Sequence, residues 1–184
     1  MSQLLALSAS PSAASRTALV ADHVVDRLSL GGFPAAHLPL RHLPADELLA
    51  ARTDGEAIKR AVEAVAAADG LIVATPVYKA SYSGLLKVFL DLLPQDALQG
   101  KTVLPLVTGG SLAHVLAIDY ALRPVLSALG ARHVVAGRFL LDSHIERLPG
   151  GVRLRPEAAV GLGQAVDDFV EALPSRPALA GAAL

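Results

Sequence analysis

Five apolar runs alternate with segments of helical spacing along the chain, and this alternation restricts the fold more than any other feature. The runs are Gln3–Leu7, Ala35–Leu40, Leu71–Ala74, Thr102–Val107 and His133–Leu140. Between and after them the sequence predicts helices over Thr17–Leu30, Asp54–Ala68, Ser83–Leu93, Leu112–Leu129 and Pro156–Leu173, the first two repeating apolar residues at three- and four-residue spacing, as one face of a helix requires. Leu71-Ile72-Val73-Ala74 is apolar throughout, the mark of a strand covered on both faces. Strand and helix in strict alternation predict an α/β fold with a doubly wound parallel sheet. No repeat or linker divides the chain, so one domain over 1–174 is expected, with a flexible tail over 175–184 after Pro174.

Composition narrows the chemistry. Hydrophobic residues make up 53% of the 184, and charged residues only 18%, which leaves apolar surface to spare for a subunit interface. The longest uncharged central stretch, Thr102–Ile118, is interrupted by Pro105, Thr108-Gly109-Gly110-Ser111 and His114, so it predicts a strand, a turn and a helix start rather than a membrane span. No basic stretch precedes the first apolar run, so no signal peptide is expected. The net charge of −1, without runs of like charge, argues against a nucleic-acid partner. The chain has no Cys, so thiolate metal sites and thiol redox chemistry are excluded, and electrons would have to travel on a bound organic cofactor. A cytoplasmic location is compatible with that composition.

Three loops of small residues follow the first, third and fourth strands. In an open α/β sheet these lie on one edge, where ligands bind. The first offers Ser8, Ser10, Ser12, Ser15 and Thr17 and opens directly into a helix, whose amides and dipole favour an anion; Arg16 can add charge. Ordinary capping by Ser15 or Thr17 explains the same hydroxyls equally well. The second, Thr75-Pro76-Val77-Tyr78-Lys79-Ala80-Ser81-Tyr82-Ser83-Gly84, holds two of the three tyrosines; Ser83 is placed to cap a helix, and Gly84 leaves room for a flat ligand. The third, Thr108-Gly109-Gly110-Ser111, can bring backbone amides near a ligand or simply turn the chain. His114, a lone His on a helix, is more often structural than catalytic.

The block Thr75-Pro-Val-Tyr-Lys-Ala-Ser-Tyr-Ser-Gly-Leu-Leu-Lys87 resembles the NADPH-dependent FMN reductases of the flavodoxin-like superfamily. The runs Ala97–His114 and Ala117–Leu129 narrow the resemblance to the small flavin reductases of alkanesulfonate and methanesulfonate utilisation. The resemblance implies a flavodoxin-like, five-stranded parallel sheet of order 2-1-3-4-5 with helices on both faces. It implies FMN as cofactor and NADPH or NADH as hydride donor. It assigns the FMN phosphate to Ser10, Ser15, Arg16 and Thr17. The isoalloxazine falls to Pro76, Val77, Tyr78 and Lys79, with Ser81, Ser83 and Gly84 completing that wall and Thr108, Gly109, Gly110 and Ser111 flanking the ring. The first loop departs from the family's Gly-Ser-x-Arg, reading Ala9-Ser10-Pro11-Ser12, which removes one charged phosphate contact. The resemblance further implies a flavin-dependent monooxygenase as recipient of reduced FMN, and homodimers or homotetramers.

Pro124 adds a local expectation. It has no N–H, so the carbonyl of Tyr120 loses its helical partner and the fourth helix must kink or bulge there. In sulfonate-type reductases a tyrosine insertion forms such a bulge at a subunit interface beside the flavin, and Tyr120 occupies that place as a candidate flavin-transfer residue. Hydride transfer between two stacked rings needs positioning more than acid–base chemistry, so no catalytic side chain is expected. Two other functions remain open at this point: a quinone or azo reductase that keeps its FMN, and an electron carrier of the flavodoxin kind, against which the near-neutral charge counts. The third helix, with Leu85, Leu86, Val88, Phe89, Leu90, Leu92 and Leu93, is apolar nearly all round and predicts burial in a core or an interface. Arg16, Arg41 and Arg138 are candidates to meet a nucleotide 2′-phosphate.

Overall fold

The computed structural model describes residues 2–174, so the expected tail lies outside the described residues. In chain order the elements are β1 (Leu4–Ser8), α1 (Arg16–Leu30), β2 (Ala35–Pro39), α2 (Ala45–Leu49), α3 (Glu56–Ala67), β3 (Gly70–Tyr78), β4 (Ser81–Tyr82), α4 (Gly84–Leu90), β5 (Thr102–Gly109), a π-helical turn (Ile118–Leu122), α5 (Arg123–Ala128), β6 (His133–Val134), β7 (Arg138–Leu141), β8 (Ile145–Leu148), β9 (Gly151–Leu154) and α6 (Pro156–Glu171). The sheet order is β2-β1-β3-β5, with β6 and β7 sharing the fifth place, and these neighbours all run parallel. The expected strand order holds.

Side chains alternate across the strands, so each face builds its own core. Leu5, Leu7, Leu71, Val73, Val103 and Val107 pack with α3, α4 and α5. Leu4, Ala6, Ile72, Ala74, Leu104 and Leu106 pack with α1 and α6. Helices on both faces explain why these strands are apolar without a polar alternation.

The fifth strand is not the continuous His133–Leu140 of the sequence expectation. Val103 pairs with Val134, but Leu106 pairs with Arg138, so one extra residue is accommodated between the two pieces. The cause is Pro105, whose carbonyl faces Gly137 and which has no N–H to donate on that side. The carbonyls of Val134 and Val135 accept instead from the Arg123 guanidinium, at 2.9 and 3.4 Å. A side chain at Gly137 would meet Ile118 and the Pro105 carbonyl, each at 2.9 Å, so the bulged strand fits only as glycine.

Two further differences concern hairpins. Thr75–Tyr82 is not a loop: β3 continues to Tyr78 and turns back into β4, pairing Val77 with Tyr82 and Tyr78 with Ser81. Lys79 and Ala80 form the two-residue turn at φ 51° and 64°, values of the twist-compatible hairpin turn in which Asn-Gly is favoured. Nothing in Lys-Ala announces such a turn. Between Leu140 and Pro156 the sequence expectation holds no element, yet β8 and β9 pair there across Pro149-Gly150, with Gly150 at φ 81°. Here a Pro-Gly pair between apolar-polar alternations was a readable signal.

Candidate functional site

The three small-residue loops meet on one edge because β1, β3 and β5 are neighbours, parallel, and all end there. The chain leaves β1 toward β2 on one side and returns to β3 on the other, which makes these carboxyl ends the switch point of the sheet, where ligands bind in open α/β folds. Side chains tie the loops together. Thr17 Oγ1 and Thr108 Oγ1 lie 2.7 Å apart and are buried, joining the start of α1 to the end of β5. Ser83 Oγ donates to the Ala9 carbonyl at 2.5 Å, and the Ala9 N–H donates to Ala74 at 2.9 Å.

These bonds decide what each predicted hydroxyl does. Ser15 caps α1 by accepting from the Ala18 N–H at 2.9 Å. Ser83 caps α4 through the Leu86 N–H at 3.2 Å as well as reaching Ala9. Ser111 accepts from the Ala113 N–H. Ser10 Oγ accepts from the Ser12 N–H at 3.3 Å, folding the first loop on itself. Ser15, Thr17, Ser83 and Thr108 are thus buried framework hydroxyls that shape the loops. The first amides of α1 have no carbonyl one turn back within the helix, so the loop presents donors to an anion. The donor set fits a phosphate ester.

The second group of candidate residues lies on the β3–β4 hairpin. Pro76 is buried, Val77 and Ser81 are half-buried, and Tyr78 and Lys79 stand exposed at its tip. Thr75, which sequence reasoning passed over, pins this hairpin to α4. It is fully buried, donates to the Pro76 carbonyl at 3.0 Å and accepts from the Ser83 N–H at 2.9 Å. Gly84 and Gly110 face open space, where an added Cβ would meet nothing within 4 Å, so both leave room for a flat ligand. Gly109 is different: its Cβ would sit 2.8 Å from Phe139 Cζ, so packing against β7 accounts for it.

The expected bulge in the fourth helix is present. Residues Leu112–His114 form a 3₁₀ turn, Ile118–Leu122 a π-helical turn, and the Arg123 N–H bonds the Ile118 carbonyl five residues back. Pro124 follows directly in the first turn of α5, a position that needs no N–H from it because the π-helical turn precedes it. Tyr120 projects from the bulge and is 80% exposed. Leu112, Val115 and Leu116, earlier in the same helical segment, are exposed as well. The apolar third helix does not add to that surface: Leu86, Phe89, Leu90, Leu92 and Leu93 are buried in the chain's own core, and Leu85 and Val88 pack against it.

The candidate nucleotide arginines part ways. Arg16 Nε donates to the Ile145 carbonyl at 3.3 Å, which ties the first loop to the β8–β9 hairpin. Arg138 lies across α6, where a side chain at Gly161 would run into its guanidinium, and its Nε is buried without a partner among the described residues. Arg41 is exposed just after β2. Among the described residues no group of three His, Asp or Glu side chains can hold a metal ion, and no helix is long and apolar enough to cross a membrane.

The family model of the NADPH-dependent FMN reductases matches residues 2–146. An FMN reductase (NADPH) of Escherichia coli (strain K12) is 44% identical over 174 residues, covering 95% of this chain and 91% of the relative. The apo crystal structure of an NADH:FMN oxidoreductase, EMOB, superposes with a TM-score of 0.87 at 44% identity, over 96% of this chain and 92% of that one. A flavodoxin of Streptococcus pneumoniae, at 16% identity and a TM-score of 0.60 over 92% of this chain and 97% of its own, shares the fold alone. The chain is therefore a flavodoxin-like enzyme that uses FMN and a nicotinamide nucleotide, and it belongs to the NADPH-dependent FMN reductase family.

Proposed function

We propose that the enzyme reduces FMN as a substrate and releases it to a flavin-dependent monooxygenase, of the kind that cleaves sulfonates. The observation that carries the proposal is the first loop. It lacks the family's arginine at Ser12, and Arg16 is partly engaged with Ile145. A phosphate held by amides and Ser10, with few committed charges, is held loosely enough to leave.

In this proposal Ser10, Ser15, Arg16 and Thr17 shape the phosphate end. Pro76, Val77, Tyr78, Lys79, Ser81, Ser83 and Gly84 form the wall along the ring, and Thr108, Gly109, Gly110 and Ser111 close the opposite side. The chemistry that bound FMN supplies is acceptance of a hydride from NAD(P)H. The chain's own part is to align the rings by rigid loops and to present amide donors toward developing negative charge. Tyr120 and its exposed apolar neighbours support self-association, as a dimer or tetramer, beside the exit of the site. The work is cytoplasmic, carried out by the one domain of residues 1–174.

Steady-state kinetics test the proposal. Oxidation of NADPH or NADH should depend on added FMN, and coupling to a sulfonate monooxygenase should yield sulfite. Full activity with endogenous FMN and a quinone, independent of added FMN, would instead identify a flavin-retaining quinone reductase. A strictly monomeric mass in solution would remove the assembly.

A further inference from the structure

A chain of three side chains runs from Ser8, which the sequence counts among the first loop's hydroxyls but the structure places at the end of β1, to α1. Ser8 Oγ lies 2.8 Å from His37 Nε2, and His37 Nδ1 lies 2.6 Å from Asp22 Oδ1. The three come from β1, β2 and α1. The register explains the meeting: His37 pairs with Ala6, on the α1 side of the sheet, and Ser8 points to that same side two residues on.

Protonation follows from the partners. The Asp22 carboxylate only accepts, so His37 Nδ1 carries a hydrogen. In the neutral ring Nε2 is then an acceptor, and the Ser8 hydroxyl donates to it. Serine, histidine and aspartate in this order also make a nucleophile triad. Burial rules out that role, because Ser8 is 2% exposed and an ester could not reach its Oγ. The arrangement holds a position.

What it holds is the entry to the first loop. Ser8 is the last residue of β1; the next residue, Ala9, is bonded to β3 through Ala74 and to α4 through Ser83. Asp22 belongs to α1, the helix into which the same loop runs. The relay therefore ties the strand that enters the loop, across β2, to the helix that leaves it. A loop fixed at both ends loses less conformational freedom when its amides converge on an anion.

We propose that Asp22, His37 and Ser8 form a positioning relay for the flavin phosphate, with His37 as its central positioning residue. The proposal rests on the assignment of the first loop to that phosphate. It predicts an effect on the phosphate end of the ligand and none on the ring.

The test compares binding of FMN with binding of riboflavin, which has the same ring without the phosphate, by flavin fluorescence quenching. The wild-type protein should bind FMN more tightly than riboflavin. His37→Gln and Ser8→Ala should each weaken FMN about tenfold, the scale of one buried hydrogen bond, and leave riboflavin within about twofold. Asp22→Asn should do the same to a smaller degree, and the Ser8→Ala/His37→Gln double variant should cost no more than one single variant, because both cut one chain. Equal weakening of FMN and riboflavin, or unchanged FMN binding in Ser8→Ala, overturns the relay while the phosphate assignment stands. Equal affinity of the wild type for both flavins overturns the phosphate assignment and the relay with it.

Discussion

Thr17 and Thr108 join two loops that lie 91 residues apart in sequence, through one buried contact of 2.7 Å between their hydroxyls. One hydroxyl donates to the other away from water. Thr17→Val alone leaves the Thr108 hydroxyl buried and unpaired, which should cost about 1–3 kcal/mol in urea denaturation. The Thr17→Val/Thr108→Val double variant removes both polar groups at nearly constant shape and should recover most of that loss. A double variant that costs the sum of the singles would show that the hydroxyls act separately.

The hairpin turn at Lys79-Ala80 carries two non-glycine residues at positive φ. Each sits in a conformation that disfavours a side chain by about 1–2 kcal/mol, partly offset by glycine's own entropy cost. Ala80→Gly should therefore stabilise the protein by up to about 1 kcal/mol, and Lys79→Asn should add to it. Thermal denaturation checks the sign. An unchanged or lower melting temperature in Ala80→Gly would show that the turn is not strained.

The adjacent glycines of the third loop should respond oppositely. Gly109→Ala places a Cβ 2.8 Å from Phe139 Cζ, an overpacking worth about 1–3 kcal/mol, and Phe139→Leu should relieve it. Gly110→Ala meets nothing within 4 Å and should leave stability within about 0.5 kcal/mol. On the proposed assignment of Gly110 to the flavin ring, its effect should fall on the Michaelis constant for FMN.

Lys101 donates to the Ala66 and Ala68 carbonyls at 2.8 and 2.6 Å, at the end of α3. Burial lowers its pKa below the ordinary lysine value of 10.5, against the pull of Asp69. Between the folded and unfolded values the unfolded chain holds more protons, so this group makes stability rise with pH in the window just below 10.5. Lys87 acts the other way: its hydrogen bond with Asp91 raises its pKa, and its contribution is present below 10.5 and lost as pH climbs through the raised value. Lys101→Met should remove the rising component, seen as a more steeply falling stability in alkaline urea titrations. An unchanged slope would contradict it.

Much of the fold, and the edge that carries the candidate site, was legible in the sequence. The alternation of apolar runs and helical spacing determined the doubly wound parallel sheet, because each pattern can be buried in only one kind of element; its strand order came with the family resemblance. The same alternation placed Ser10, the Thr75–Gly84 block and Thr108–Ser111 on one edge. Pro124 determined the bulge near Tyr120, since a missing N–H acts locally whatever surrounds it. The remainder depended on partners distant in sequence. Pro105 breaks a strand that begins 28 residues later, and Arg123 repairs it; neither residue signals this alone. The Lys79-Ala80 turn forms because β4 is held by Thr75 and Ser83, against the preference of its own two residues. The roles of Ser15, Thr17, Ser83 and Thr108 as framework, and the meeting of Ser8, His37 and Asp22, were decided by the tertiary structure. A hydroxyl's function depends on which donor or acceptor lies within 3 Å or so, and only folding brings those together.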